Sequence, residues 1–205
     1  MLELLRVGVL ASGRGSNLEA ILKACRRGEI KAEVVIVLSD NPEARALKIA
    51  REYGIKALYL DPAAYPSRQA YDLAMAGELE AAGVELVALA GFMRLLSPAF
   101  LERFPQRVIN IHPALLPAFP GLNAQRQAWE YGVKFSGCTV HFVDAGVDTG
   151  PIIAQAVVPV LPDDTPETLA ERILAEEHRL YPQVIGWLAE GRVKLEGRRT
   201  MVINR

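Results

Sequence analysis

The stretch "RVINIHPALLP", residues 107 to 117, carries the side chains best placed to do chemistry: Asn110 and His112, set into an apolar run. Two positions apart in an extended chain puts both on one face, about 6.5 Å apart along it. Val108 shares that face, while Ile109 and Ile111 point the other way. Pro113 disfavours the helical region for His112 and cannot donate to a ladder, so the strand should end there, imidazole at its carboxyl end. Open α/β sheets bind their ligands at that end. A lone histidine at a strand end is more often a structural residue, so the rest of the chain must decide between the two readings.

A carboxylate beside His112 would orient its ring and favour the protonated form. "HFVDAGVDTGP" offers Asp144 and Asp148 in a loop with two glycines. An amide donor, an acid/base and its orienter suit attack on a carbonyl, with Asn and protonated His stabilising the oxyanion. No nucleophilic Ser or Cys is marked, which favours direct transfer between substrates. The Asp-Thr-Gly at 148 to 150 also occurs in aspartic proteases, but those need two such motifs on β-lobes, and this chain has one in an α/β pattern.

A second constellation stands near the start. In "VGVLASGRGSNLEAIL", Gly13 and Gly15 follow a strand, and Ser16 and Asn17 open a helix. Backbone N–H groups and the positive helix end can there meet a phosphate without a basic patch, although ordinary strand-to-helix turns also favour Gly and Ser. Leu18 stands where a dinucleotide fingerprint needs a third small residue. Asp40, at the end of the second strand, is where a ribose-binding acid would lie, but a monophosphate fits the loop better than a dinucleotide.

These groups need a scaffold. Apolar runs at 5 to 11, 33 to 38, 56 to 60, 84 to 90 and 107 to 111 alternate with helical periodicity, which predicts an α/β fold: a mostly parallel sheet with helices on both faces. "SGCTVHFVDAG" and "PIIAQAVVPV" predict an antiparallel strand pair near the C-terminal half, at one side of that sheet. "DDTPE" signals the start of a last long helix over 165 to 189. With 205 residues, 51% of them hydrophobic, and no linker, one domain over 1–205 is the economical reading.

Twenty-three Lys and Arg against 24 Asp and Glu offer no general attraction for nucleic acid or anionic membrane. Cys25 and Cys138 show neither metal spacing nor a disulfide framework, and the three histidines make no metal cluster. No metal and reduced thiols are expected. The start runs from Met into a strand pattern without a basic region and cleavage site, and no run reaches the ~18 apolar residues of a membrane span, so a cytoplasmic location is expected.

Together, "SGRGSN", "SRQAYD", "LAGFMRLLSP", "NIHPALLPAFPG", "HFVDAGVDTGPII" and "EEHRLYP" resemble the phosphoribosylglycinamide formyltransferases, a folate-dependent formyltransferase family, nearly end to end. The resemblance implies a Rossmann-like domain that moves a formyl group from 10-formyltetrahydrofolate to the amine of glycinamide ribonucleotide, in purine biosynthesis. It implies Asn110, His112 and Asp148 as the catalytic set and Gly15, Ser16 and Asn17 as the phosphate cradle. Gly91, Phe92 and Met93 would line the reacting centre, and Glu177 would hold the ribose hydroxyls. Folate would lie against Arg68, Met93, Arg94, Leu95, Leu96, Asp144, Ala145, Gly146, Val147 and Asp148. The phosphate half would span about 1–100, and the catalytic and folate half about 101–205. Partners would be these two small molecules, with a homodimer as one possible assembly.

The resemblance departs at Asn123, where the family often has His. Formyltransferases acting on initiator methionyl-tRNA and hydrolases of formyltetrahydrofolate share the Asn-x-His strand and the distal Asp, but carry an extra domain. A non-catalytic nucleotide-binding module would leave Asn110, His112 and Asp148 without a purpose.

Overall fold

A computed structural model describes residues 4–203. Strands β1 (Leu5–Leu10), β2 (Ala32–Ser39), β3 (Lys56–Tyr59), β4 (Leu86–Leu89) and β5 (Val108–His112) alternate with helices α1 (Ser16–Arg26), α2 (Arg45–Glu52), α3 (Arg68–Ala81) and α4 (Pro98–Arg103). There follow α5 (Ala124–Tyr131), β6 (Phe135–Phe142), β7 (Ile152–Pro159), α6 (Pro166–Ala189), β8 (Val193–Glu196) and β9 (Arg199–Val202).

Seven strands form one sheet in the order β3, β2, β1, β4, β5, β6, β7. The first five run parallel; β6 is antiparallel to β5, and β7 to β6. The expected α/β class and the antiparallel pair are both present. The strand order reverses between β1 and β4, the kind of crevice where α/β sheets take ligands.

Alternation along each strand divides the core. Val7, Val9, Ile109, Ile111 and Val140 pack with Leu18 and Ile21 of α1 and with Ile173 and Val184 of α6. Leu10, Leu38, Val87 and Val108 pack with Tyr71, Met75 and Leu79 of α3 and with Phe100 of α4. Asn110 and His112 share the face of Val108, so they lie on the α3 and α4 side. Fully buried Tyr181 of α6 reaches Leu89 O at 2.8 Å, tying that helix to the sheet where β4 ends.

α6 starts at a capping box in which Thr165 Oγ1 accepts from the Thr168 N–H and Thr168 Oγ1 accepts from the Thr165 N–H. The hairpin of β8 and β9 after it was not expected from sequence. Arg198 Nη2 donates to Thr149 O at 2.8 Å and Thr200 Oγ1 to Ile152 O at 2.6 Å, which dock the hairpin beside the β6–β7 loop. Cys25 and Cys138 are free, and burial pushes their thiols up to about 11 and about 12. Among the described residues no group of His, Cys, Asp and Glu gathers as a metal ion would need, and no helix is long and apolar enough to cross a membrane.

Candidate active site

β5 ends at His112, and the next residue is Pro113. Both His112 and Asn110 point to one face, as an extended chain requires. The antiparallel ladder sets Asn110 opposite His141 of β6. Side chains across such a pair are within reach of each other, and Asn110 Nδ2 stands 3.3 Å from His141 Nε2. His112 and His141 are 4% and 2% exposed, so both rings sit where charge is weakly screened.

The loop after β6 delivers the carboxylate. Asp148 takes a left-handed backbone, φ +53°, which Asp tolerates better than most residues. Its Oδ2 lies 3.3 Å from His112 Nδ1 and accepts the Gly121 N–H at 2.8 Å, while its Oδ1 lies 3.7 Å from His141 Nε2. Burial alone would raise the Asp148 carboxyl. The nearby His141 ring, the Gly121 N–H and the His112 ring outweigh it and hold the group below its usual value. His141 was not singled out in the sequence, yet it touches both Asn110 and Asp148. "TVHFVD" places it on an alternating strand, but only the register across β5 and β6 shows its neighbour.

The second nitrogen of each ring has a carbonyl partner. His112 Nε2 lies 2.8 Å from Phe119 O and His141 Nδ1 2.8 Å from Phe142 O; a carbonyl only accepts, so a proton is fixed on each of these nitrogens. His112 Nδ1 then faces Asp148 Oδ2 across 3.3 Å. The Asn110 amide nitrogen faces His141 Nε2.

A small cavity opens onto this cluster, lined by Leu89, Phe92, Leu96, Asn110, His141 and Asp148. Arg94, Leu95, Val143, Asp144 and Gly146 complete the wall. Its volume is about 80 Å³, against about 460 Å³ for a groove between α1 and α6. Chemistry, not size, locates the site, because the larger groove lacks all of the reacting side chains. Of the expected folate residues, Met93 and Leu95 are 67% and 48% exposed and Leu96 is buried. Arg94 lies over the Tyr71 ring, 5.3 Å from its centroid. Asp144 Oδ1 accepts from Gly146 N–H and from Thr149 Oγ1, which shapes the loop through Ala145 and Val147. Arg68 stands apart at the start of α3, its Nε 3.9 Å from Asp72.

The other constellation also assembles. Gly15 is the N-cap of α1 with φ +74°, and the first N–H groups after it have no intrahelical partner. A Cβ at Gly15 would stand 2.8 Å from the Ala46 backbone, so the glycine serves the packing of α2 as well as access from outside. A Gly15→Val variant would therefore disturb α2 and is not a clean probe of phosphate binding. Asn17 Nδ2 donates to Glu177 Oε2 at 3.2 Å, joining α1 to α6, while Asn17 Oδ1 is buried without a partner. Burial pushes Glu177 up to about 7, with the Asn17 bond opposing. Asn123, the departure noted above, caps α5 with φ +56°, a conformation that Asn tolerates.

The formyl transferase family model matches residues 5–185. The phosphoribosylglycinamide formyltransferase of Escherichia coli strain K12 is 45% identical over 191 residues, 93% of this chain and 90% of that protein. The trifunctional purine biosynthetic protein adenosine-3 of Drosophila melanogaster is 49% identical over 188 residues, and the match spans 91% of this chain but 14% of that longer protein. Among solved structures, glycinamide ribonucleotide transformylase 1 from Symbiobacterium toebii superposes with a TM-score of 0.97 at 59% identity, covering 100% of this chain and 96% of that one.

Proposed function

From the chain's membership of the formyl transferase family, shown by a match over residues 5–185, we propose that it is a phosphoribosylglycinamide formyltransferase of purine biosynthesis. It moves the formyl group of 10-formyltetrahydrofolate to the amine of glycinamide ribonucleotide. The amine forms a bond to the formyl carbon, the bond to the folate nitrogen breaks, the amine loses a proton and the departing nitrogen gains one.

Asn110 and His112 stabilise the oxyanion of the tetrahedral intermediate, with His112 Nε2 exchanging the Phe119 carbonyl for the reacting group. Asp148 holds the imidazolium and takes part in the proton transfer. Gly15, Ser16 and Asn17 receive the phosphate on backbone N–H groups, and Glu177 and Asn17 Oδ1 face the ribose hydroxyls. Met93, Arg94, Leu95 and Leu96 with residues 144 to 147 form the folate wall; Arg68 reaches the folate's outer, acidic end, and Gly91, Phe92 and Met93 border the reacting centre. Residues 1–205 act as one domain in this reading, and both halves serve both substrates. A cytoplasmic location and a homodimer belong to the same reading.

The observation that carries it is the convergence of Asp148 on His112, and on Asn110 through His141, from a strand end and a separate loop. Asn110→Ala and His112→Ala should each lower kcat on the order of 10² or more with both substrates saturating. Near-normal kcat in both variants refutes the catalytic assignment. Folate turnover that persists without the ribonucleotide would point to hydrolysis instead.

A further inference from the structure

Ser12 lies two residues past the end of β1 and opens the turn that leads to Gly15. Its hydroxyl donates to Asp40 Oδ1 at 2.6 Å and accepts from the Met93 N–H at 3.0 Å. Its own N–H donates to Gly91 O at 3.1 Å, and its carbonyl accepts from Asn41 Nδ2 at 3.1 Å. One residue thus joins the turns that follow β1, β2 and β4, at the place where the strand order reverses. Asp40, positioned in the sequence like a ribose acid, has Oδ1 engaged by this hydroxyl.

The segment from Ala90 to Ser97 has no strand or helix of its own, so its shape rests on such tethers. Its far end is held by the Ser97 N–H, which donates at 2.7 Å to Oδ2 of the fully buried Asp72. Between the tethers stand the exposed apolar side chains of Met93 and Leu95. A short bond to a carboxylate polarises the Ser12 hydroxyl and strengthens it as the acceptor for Met93 N–H. Without that hydroxyl, the Met93 amide and Asp40 Oδ1 both lose this partner, and at this end the loop keeps the bonds of Ala90 N–H to Leu10 O and of Ser12 N–H to Gly91 O, both before Met93.

We propose that Ser12, held by Asp40, is a positioning residue that couples the phosphate turn to the folate loop, so that each substrate, in ordering its own segment, favours the binding of the other. The inference rests on the formyl-transfer reading of the site. Ser12 acts here through the backbone of Met93 and is not assigned any contact with the reacting atoms.

Calorimetric titration of glycinamide ribonucleotide into the full chain, with and without saturating tetrahydrofolate, measures the coupling, because that folate has no formyl group to transfer. The wild type should bind the ribonucleotide about fivefold or more tightly when tetrahydrofolate is present. Ser12→Ala should bring that ratio close to one and raise KM for both substrates by a larger factor than it lowers kcat, and Ser12→Thr should restore the ratio. If Ser12→Ala does not fold, Asp40→Ala serves for the same comparison. A Ser12→Ala ratio equal to that of the wild type overturns the proposal even if Tm falls, since lost stability alone would leave the coupling intact. A wild type that transfers formyl groups with a ratio of one overturns this proposal alone, whereas a wild type that binds neither ligand overturns the formyl-transfer reading with it.

Discussion

Glu177 is 6% exposed and has the Asn17 amide as its hydrogen-bond donor, so its charged form is poorly compensated. Burial lifts it from 4.5 to about 7. A folded-state value above the unfolded one means the native state holds the proton more tightly. The stability it contributes is full below about pH 4.5 and is lost as pH rises through 7, a change on the order of 3 kcal/mol. Glu177→Gln keeps the shape and removes the ionisation, so its Tm should exceed that of the wild type by several degrees at pH 8 and converge with it at pH 5, while ribonucleotide affinity falls. Parallel Tm profiles for the two proteins from pH 5 to 8 would contradict this. At this scale the sequence was legible where a local pattern fixed direction: alternation put Asn110 and His112 on one face, whereas the glycine-flanked loop offered both Asp144 and Asp148, and only the family resemblance chose Asp148. His141 was hidden because its partner is set by ladder register, which no local pattern encodes.

The loop between β6 and β7 is shaped by close backbone approach. A Cβ at Gly150 would come within 1.7 Å of Phe142 O, so any side chain there must push the loop off the end of β6 and take Asp148 with it. Gly150→Ala should lower Tm by several degrees and kcat by about tenfold or more. Gly77 is the contrast: it sits within α3 with nothing near its Cβ position, and Gly77→Ala should stabilise by about 0.5–1 kcal/mol at unchanged kcat. Thermal melts beside steady-state rates for both variants check the pair; an unaffected Gly150→Ala would remove the steric argument. Among the elements, α6 was legible from Thr165 and Pro166 at one end and Gly191 beyond the other. The hairpin of β8 and β9 was not, because two four-residue strands are marginal alone and its order comes from Arg198 and Thr200 bonding to distant backbone.

Those two bonds also link the carboxyl-terminal region to the chemistry, since Thr149 adjoins Asp148. Arg198→Ala with Thr200→Val should free that side of the loop and lower kcat about fivefold, with KM for the ribonucleotide little changed, as expected for roughly 1 kcal/mol per hydrogen bond. Steady-state kinetics decide it: an unaltered kcat would make the hairpin a purely structural appendage. The wider architecture was legible as alternating apolar runs and helical intervals, whereas the strand order that brings β1 beside β4 depends on pairings between segments far apart in the chain. Such distances have a further consequence. Asn110 and His141 are 31 positions apart, Asn17 and Glu177 are 160. Chain-closure entropy grows with the logarithm of that span, so closing the second contact costs about 1.5 kcal/mol more than the first. The reacting side chains are drawn from one compact stretch, and the wall assigned to the ribonucleotide exists only while α6 is folded back against α1. Because α6 also packs against β5 and β6 through Ile173 and Val184, and its Tyr181 hydroxyl bonds Leu89 O and Ile109 O, the helix that walls the ribonucleotide also clamps the strands of the reacting side chains, so the entrance cannot loosen without loosening the apparatus inside.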